Sequence, residues 1–177
     1  NTWAGTQGHV SLWGVRDVQF IDNHFENDQD YVIVGECPSD LTTKTFGRQA
    51  KGDGIGSYDA RYQILSTDPN NSTTPKRNEF IGLTRGVWSR HSYPDYSKFL
   101  RVKDAYFDNN QYGIISETGR NATISGNTFK IPSGTGSSGD QVNYEPFGAF
   151  AYDYRGHTFT DNTFGPTDVG GTIDNFG

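Results

Sequence analysis

A six-residue phrase recurs along the chain: an apolar residue, any residue, then Asp, Asn or Gly, then asparagine, any residue, and Phe or Tyr. It occurs at Phe20-Ile21-Asp22-Asn23-His24-Phe25, Phe107-Asp108-Asn109-Asn110-Gln111-Tyr112, Ile124-Ser125-Gly126-Asn127-Thr128-Phe129 and Phe159-Thr160-Asp161-Asn162-Thr163-Phe164. A weaker echo stands at Asn78-Glu79-Phe80. Self-similarity constrains a fold strongly, because like segments that bury like positions stack as repeats instead of closing into one globule.

The asparagines Asn23, Asn78, Asn110, Asn127 and Asn162 are separated by 55, 32, 17 and 35 residues. These gaps fit a basic coil of roughly 17 to 25 residues interrupted by insertions, which gives about seven or eight coils over the chain. Residues 66–77 and 132–146, rich in Ser, Thr, Gly, Pro and Asn, are the expected insertions. Around each phrase, apolar and polar residues alternate over a few positions and then meet an Asp-Asn or Gly-Asn corner, as in Val18, Phe20, Asp22-Asn23, Phe25. Alternation marks half-buried strands, and Asn or Gly tolerates the left-handed backbone of a tight bend. No amphipathic helix is evident, so the fold expected is all-β. Stacked coils would place each asparagine above its equivalent, where its amide can satisfy corner backbone groups, with the aromatic two positions on stacked inside. An antiparallel sandwich or barrel with asparagine turns is the competing arrangement.

This pattern of interior asparagine and aromatic columns resembles the right-handed parallel β-helix of the pectate-lyase-like superfamily. The resemblance extends from about Val10 to about Phe164 and implies a single-stranded β-solenoid with long loop insertions. Residues 1–177 are expected to form one β-helix segment of a longer chain, since no helical cap is evident and Asp174-Asn175-Phe176-Gly177 looks like the start of another coil. Relatives of this fold are mostly secreted or on cell surfaces, which implies that location here.

The net charge is −6, carried by sixteen Asp and five Glu against fifteen Lys and Arg. An acidic chain is a poor match to nucleic acid phosphates or anionic membranes, and its apolar runs are too short for membrane insertion. One cysteine, Cys37, excludes an internal disulfide or a cysteine-based zinc site, and its apolar context suits a buried, inert thiol. His9, His24, His91 and His157 lack metal-binding spacing, and His24 occupies the variable position of the repeat. No cofactor is required on this reading. Ca²⁺ is possible at Asp28 with Asp30 or Asp104 with Asp108, although neither pair has the full loop signature.

Three clusters carry candidate chemistry. Asp53 and Asp59, in Lys51-Gly52-Asp53-Gly54-Ile55-Gly56-Ser57-Tyr58-Asp59-Ala60-Arg61, could act as paired carboxylates in glycoside cleavage. The string is similar to glycine-rich, aspartate-bearing segments of polygalacturonase-like β-helices, but lacks that family's further aspartate pair and its Arg-Ile-Lys signature. A turn with a capping aspartate explains the same residues. Trp88, Arg90, His91, Tyr93, Asp95 and Tyr96 suggest an amphipathic loop able to stack on sugar rings and bond their hydroxyls. Tyr152, Tyr154 and Arg155, with Tyr144, Asp153 and His157 nearby, would form an opposing wall if both insertions lie on one side. The function expected is a non-catalytic structural or adhesive solenoid presenting loops to carbohydrate or to another extracellular protein. The alternative is a polysaccharide lyase or glycoside hydrolase, including the phage tailspike type.

Overall fold

The computed structural model describes residues 8–27, 52–93, 97–131, 147–152 and 156–166. Its fifteen strands fall into five successive triplets. The first coil is β1 (Gly8–Trp13), β2 (Val18–Ile21) and β3 (His24–Glu26); the second is β4 (Asp53–Tyr58), β5 (Tyr62–Leu65) and β6 (Glu79–Ile81). The third is β7 (Arg85–Arg90), β8 (Leu100–Lys103) and β9 (Tyr106–Asp108). The fourth is β10 (Tyr112–Glu117), β11 (Thr123–Ser125) and β12 (Thr128–Ile131), and the fifth is β13 (Phe147–Tyr152), β14 (Thr158–Thr160) and β15 (Thr163–Pro166).

Equivalent strands of successive coils pair in parallel, giving three five-stranded sheets. Sheet A is β1-β4-β7-β10-β13, sheet B contains the second strand of each coil, and sheet C the third. This is the right-handed parallel β-helix. Five coils stand among the described residues, against the seven or eight suggested by the spacing. Chain spent between strands accounts for the difference: residues 66–78 separate β5 from β6, and 91–99 separate β7 from β8.

The interior is a stack of columns. In sheet C, Phe25, Phe80, Phe107, Phe129 and Phe164 stack face to face at centroid separations of 4.7–4.9 Å. Facing this column across the coil is a line of glycines in sheet A. A Cβ on Gly86 would lie 2.6 Å from Gly113 O and 2.9 Å from the Phe107 ring, and Gly54, Gly113 and Gly148 meet Phe80, Phe129 and Phe164 in the same manner. The rings fit because the opposite wall has no side chain there. In the first coil this place is taken by His9, whose ring lies 5.9 Å from that of Phe25. Ile55, Val87 and Ile114 of sheet A and Ile64, Val102 and Ile124 of sheet B complete the apolar filling.

At the corner between sheets B and C, Asn78, Asn127 and Asn162 each hold the coil before their own. Asn127 Oδ1 accepts the Ala105 N–H at 2.9 Å and its Nδ2 donates to Val102 O at 3.1 Å. Asn78 does the same to Asn23 N–H and Phe20 O, and Asn162 to Asn127 N–H and Ile124 O. Asn110 proves to belong to a different column. It lies one corner further on, between sheets C and A, where it brackets Leu83 N–H and Phe80 O by the same two hydrogen bonds. The residue in register with Asn127 in the third coil is Ala105. The corner beneath Ala105 needs no bracket, since Ser66 Oγ accepts from Asn78 N–H and Asn78 Nδ2 donates to Leu65 O.

Replacing the fully buried Asn127 by Ala strands a donor and an acceptor, so chemical denaturation should show a loss of about 2–4 kcal/mol. Gly86→Ala pushes a methyl into Phe107 and the Gly113 carbonyl, and the same measurement should register a loss of about 1–3 kcal/mol or more.

Candidate functional site on the outer face of sheet A

Six-residue strands give sheet A the widest outer face, and register aligns its outward residues into rows along the solenoid axis. One row runs Gly8, Asp53, Arg85, Tyr112; a second Ser11, Gly56, Trp88, Ile115, Phe150; a third Trp13, Tyr58, Arg90, Glu117. Trp88 and Arg90 are therefore strand residues, not loop residues as the Ser-Pro context suggested. Trp88 and Tyr152, from two clusters distant in sequence, stand on strands of the same sheet.

The polar groups on this face hold one another. Arg85 donates from Nε to Asp53 Oδ1 at 2.7 Å and from Nη2 to Oδ2 at 2.6 Å, while its guanidinium lies 4.2 Å from the Trp88 ring centroid. Such a fork fixes the arginine and offsets the buried carboxylate's charge. Trp88 Nε1 donates to Glu117 Oε1 at 3.2 Å, and Glu117 also pairs with Arg90 at 3.5 Å. Trp13 is 74% exposed and packs beside Tyr58 at a centroid separation of 5.1 Å. The face thus offers flat aromatic surface next to pre-set donors and acceptors.

Asp53 and Asp59 are not brought together. Asp53 opens β4 and Asp59 follows its last residue, a separation along the strand of roughly 20 Å at the rise of an extended chain. Asp53 is sealed by Arg85. Asp59 sits in a left-handed corner, φ 53°, and accepts from Ser92 N–H at 3.0 Å, Ser92 Oγ–H at 2.7 Å and Lys98 Nζ at 2.8 Å. Burial raises the Asp59 pKa, but these hydrogen bonds and the Lys98 charge outweigh it and bring the group to about 2. Asp59 therefore anchors both ends of the connection from β7 to β8. Asp22 uses the same device on the connection that follows β5, accepting from the backbone and hydroxyl of Thr67.

Of the other candidate binding residues, His91 is 3% exposed and lies inside the corner, while Tyr93 is exposed with Lys98 Nζ 4.0 Å from its ring centroid. Asp95, Tyr96, Tyr154 and Arg155 lie outside the described residues. Trp13 and Tyr58 were not among the sequence candidates. Their signal was present as aromatics at the same offset from Val10 and Ile55, but only the sheet register makes them neighbours.

His24 bonds Glu79 through Nδ1 at 2.8 Å and Glu26 through Nε2 at 2.9 Å, contacts that raise its pKa, with Glu26 the largest cause. His157 Nε2 lies 3.0 Å from Ser116 Oγ. Among the described residues no three His, Cys, Asp or Glu side chains gather as a metal site. Asp104 and Asp108 do not combine as Ca²⁺ ligands: Asp104 turns a corner, φ 57°, while Asp108 accepts from the Tyr106 hydroxyl at 2.9 Å. Asp28 and Asp30 lie outside the described residues, as does Cys37.

The stacked sheets and columns define a right-handed β-helix repeat protein. Over residues 2–175 the sequence matches the family described as periplasmic copper-binding protein (NosD), and the chain belongs to that family. A periplasmic family agrees with the secreted or cell-surface location expected from the sequence. No curated protein and no solved structure matches the chain.

Because the folded Asp59 pKa lies below its ordinary 3.8, the clamp's contribution to stability is full above that value and is lost as pH falls through about 2. Denaturant titrations from pH 5 to pH 2 should show a shallower loss of stability in Asp59→Asn than in the parent protein. Equal slopes would mean that the clamp contributes nothing.

Proposed function

We propose that the chain is a non-catalytic segment of an extracytoplasmic β-helix protein and presents the outer face of sheet A to a carbohydrate or protein partner. The observation that supports this reading most strongly is the exposed Trp13 beside the half-buried Tyr58, in the same sheet as Trp88, with Arg90 and Glu117 alongside. Recognition surfaces combine rigid aromatic area with a few placed polar groups, and a parallel sheet supplies the rigidity. Fold alone does not dictate function, so the weight rests on these side chains. A cleavage role has less support, because the two candidate carboxylates are engaged at opposite ends of a strand, whereas glycosidase pairs stand about 5 to 10 Å apart.

Copper, named in the family description, has little support from the described donors. His24 has both ring nitrogens on carboxylates and His157 uses Nε2 on Ser116; the sequence contains no Met, and its one thiol, Cys37, lies outside the described residues. Soft sulfur and imidazole ligands are what copper sites draw on.

Affinity electrophoresis in gels containing neutral or acidic polysaccharides, with a reducing-end assay in parallel, tests the proposal. The parent protein should be retarded by at least one polymer, and Trp13→Ala/Trp88→Ala should abolish retardation while Gln63→Ala on sheet B retains it. Retardation indifferent to the sheet A changes would overturn the assignment of the face. New reducing ends that disappear in Asp53→Asn or Asp59→Asn would replace it with an enzyme.

A further inference from the structure

The third outward row of sheet A has a chemical order of its own. Trp13, Tyr58, Arg90 and Glu117 come from four successive strands and are aligned by register. Neighbouring strands lie about 4.8 Å apart, so the four side chains form a line of roughly 14 Å parallel to the solenoid axis. Two aromatics occupy one half of the line, and a donor and an acceptor the other.

Charge discriminates among ligands for this line. Arg90 is paired with Glu117 at 3.5 Å, and Arg85, the other cation of the face, is forked onto Asp53. The face therefore supplies no unbalanced cation from these residues to a polyanion, and the whole chain carries −6. A uronic acid or sulfated polymer would face repulsion here without a compensating ion pair. Uncharged hydroxyls meet no such penalty. A vicinal diol can donate to Glu117 and accept from Arg90, using an ion pair already oriented by Trp88 Nε1. The apolar face of a pyranose ring suits the exposed Trp13 indole, which Tyr58 flanks.

Resting on the reading of sheet A given above, we infer that its ligand is a neutral linear pyranose oligosaccharide lying along the solenoid axis, one ring against Trp13–Tyr58 and a following ring bonded by Arg90 and Glu117. Its ring repeat is close to the interstrand spacing, so a ring over the first two coils and the second ring beyond it, over the third and fourth, keep step with the row. Trp13 is the specificity anchor because it is the most exposed large apolar side chain among those described. Removing it creates no cavity.

Isothermal titration of the protein with neutral β-linked gluco- and manno-hexaoses and with hexagalacturonate, at low and moderate salt, distinguishes the outcomes. The inference expects a neutral hexaose to bind with little salt dependence, Trp13→Ala to weaken it by about tenfold or more, and Trp13→Phe to retain most of the affinity. Arg90→Gln/Glu117→Gln, which keeps hydrogen-bonding groups but removes both charges, should weaken it less than Arg90→Ala/Glu117→Ala. Circular dichroism confirms that each variant is folded. Binding of hexagalacturonate alone would overturn the neutral-glycan inference while leaving sheet A as the site. Neutral binding unaffected by Trp13→Ala would overturn the axial row, and binding by neither class would remove the carbohydrate reading altogether.

Discussion

A β-helix coil is narrow, and at each corner the backbone must turn while its N–H and C=O groups face the interior. Water cannot reach them, so a side chain has to pair them or the corner is destabilising. Here an asparagine from the following coil supplies both halves of the pair at once, accepting the N–H and donating to the carbonyl three residues earlier. The bond pattern links two coils at a fixed relative height. Register throughout the stack follows from it, and the Phe column repeats that spacing with rings 4.7–4.9 Å apart.

Register inside determines chemistry outside. Because interior residues are locked in columns, side chains of opposite orientation on the same strands are locked into outward rows. That is how Trp13 and Tyr58, 45 residues apart in sequence, become neighbours with tilted rings, and how Arg90 meets Glu117. Asp59 and Asp22 extend the same economy to the insertions, each using a left-handed corner in one coil to hold the longer connection of the next. The surface is thus shaped by corner residues that hold the connections of neighbouring coils.

The fold was legible because the corner bracket needs asparagine and the column needs an aromatic two positions on, a pairing that survives in Asn23–Phe25, Asn78–Phe80, Asn127–Phe129 and Asn162–Phe164. It misled at the third coil. Val102-Lys103-Asp104-Ala105-Tyr106-Phe107 is the true equivalent, but with Ala105 at the bracket it does not match, whereas Asn110 matches because the neighbouring corner uses the same device. A second repeat, the Gly-apolar-x-Ser pattern of Gly54, Gly86 and Gly113, is also written in the chain and becomes meaningful only opposite the Phe rings. The candidate face was half legible: Trp88 and Arg90 stood out as aromatic and charged neighbours, while Trp13 and Tyr58 needed the strand pairing. Asp53 and Asp59 are not neighbours for a simple reason, since side chains close in sequence along an extended strand are far apart in space.

Pulsed electron spin resonance on labels at positions 19 and 158 tests the central claim most directly. Gln19 and Thr158 lie in one outward row of sheet B, four strand steps apart through Gln63, Arg101 and Thr123. Coils stacked in register predict a single narrow distance distribution centred near about 20 Å. A broad distribution, or one centred beyond roughly 30 Å, would contradict the stack and every outward row derived from it.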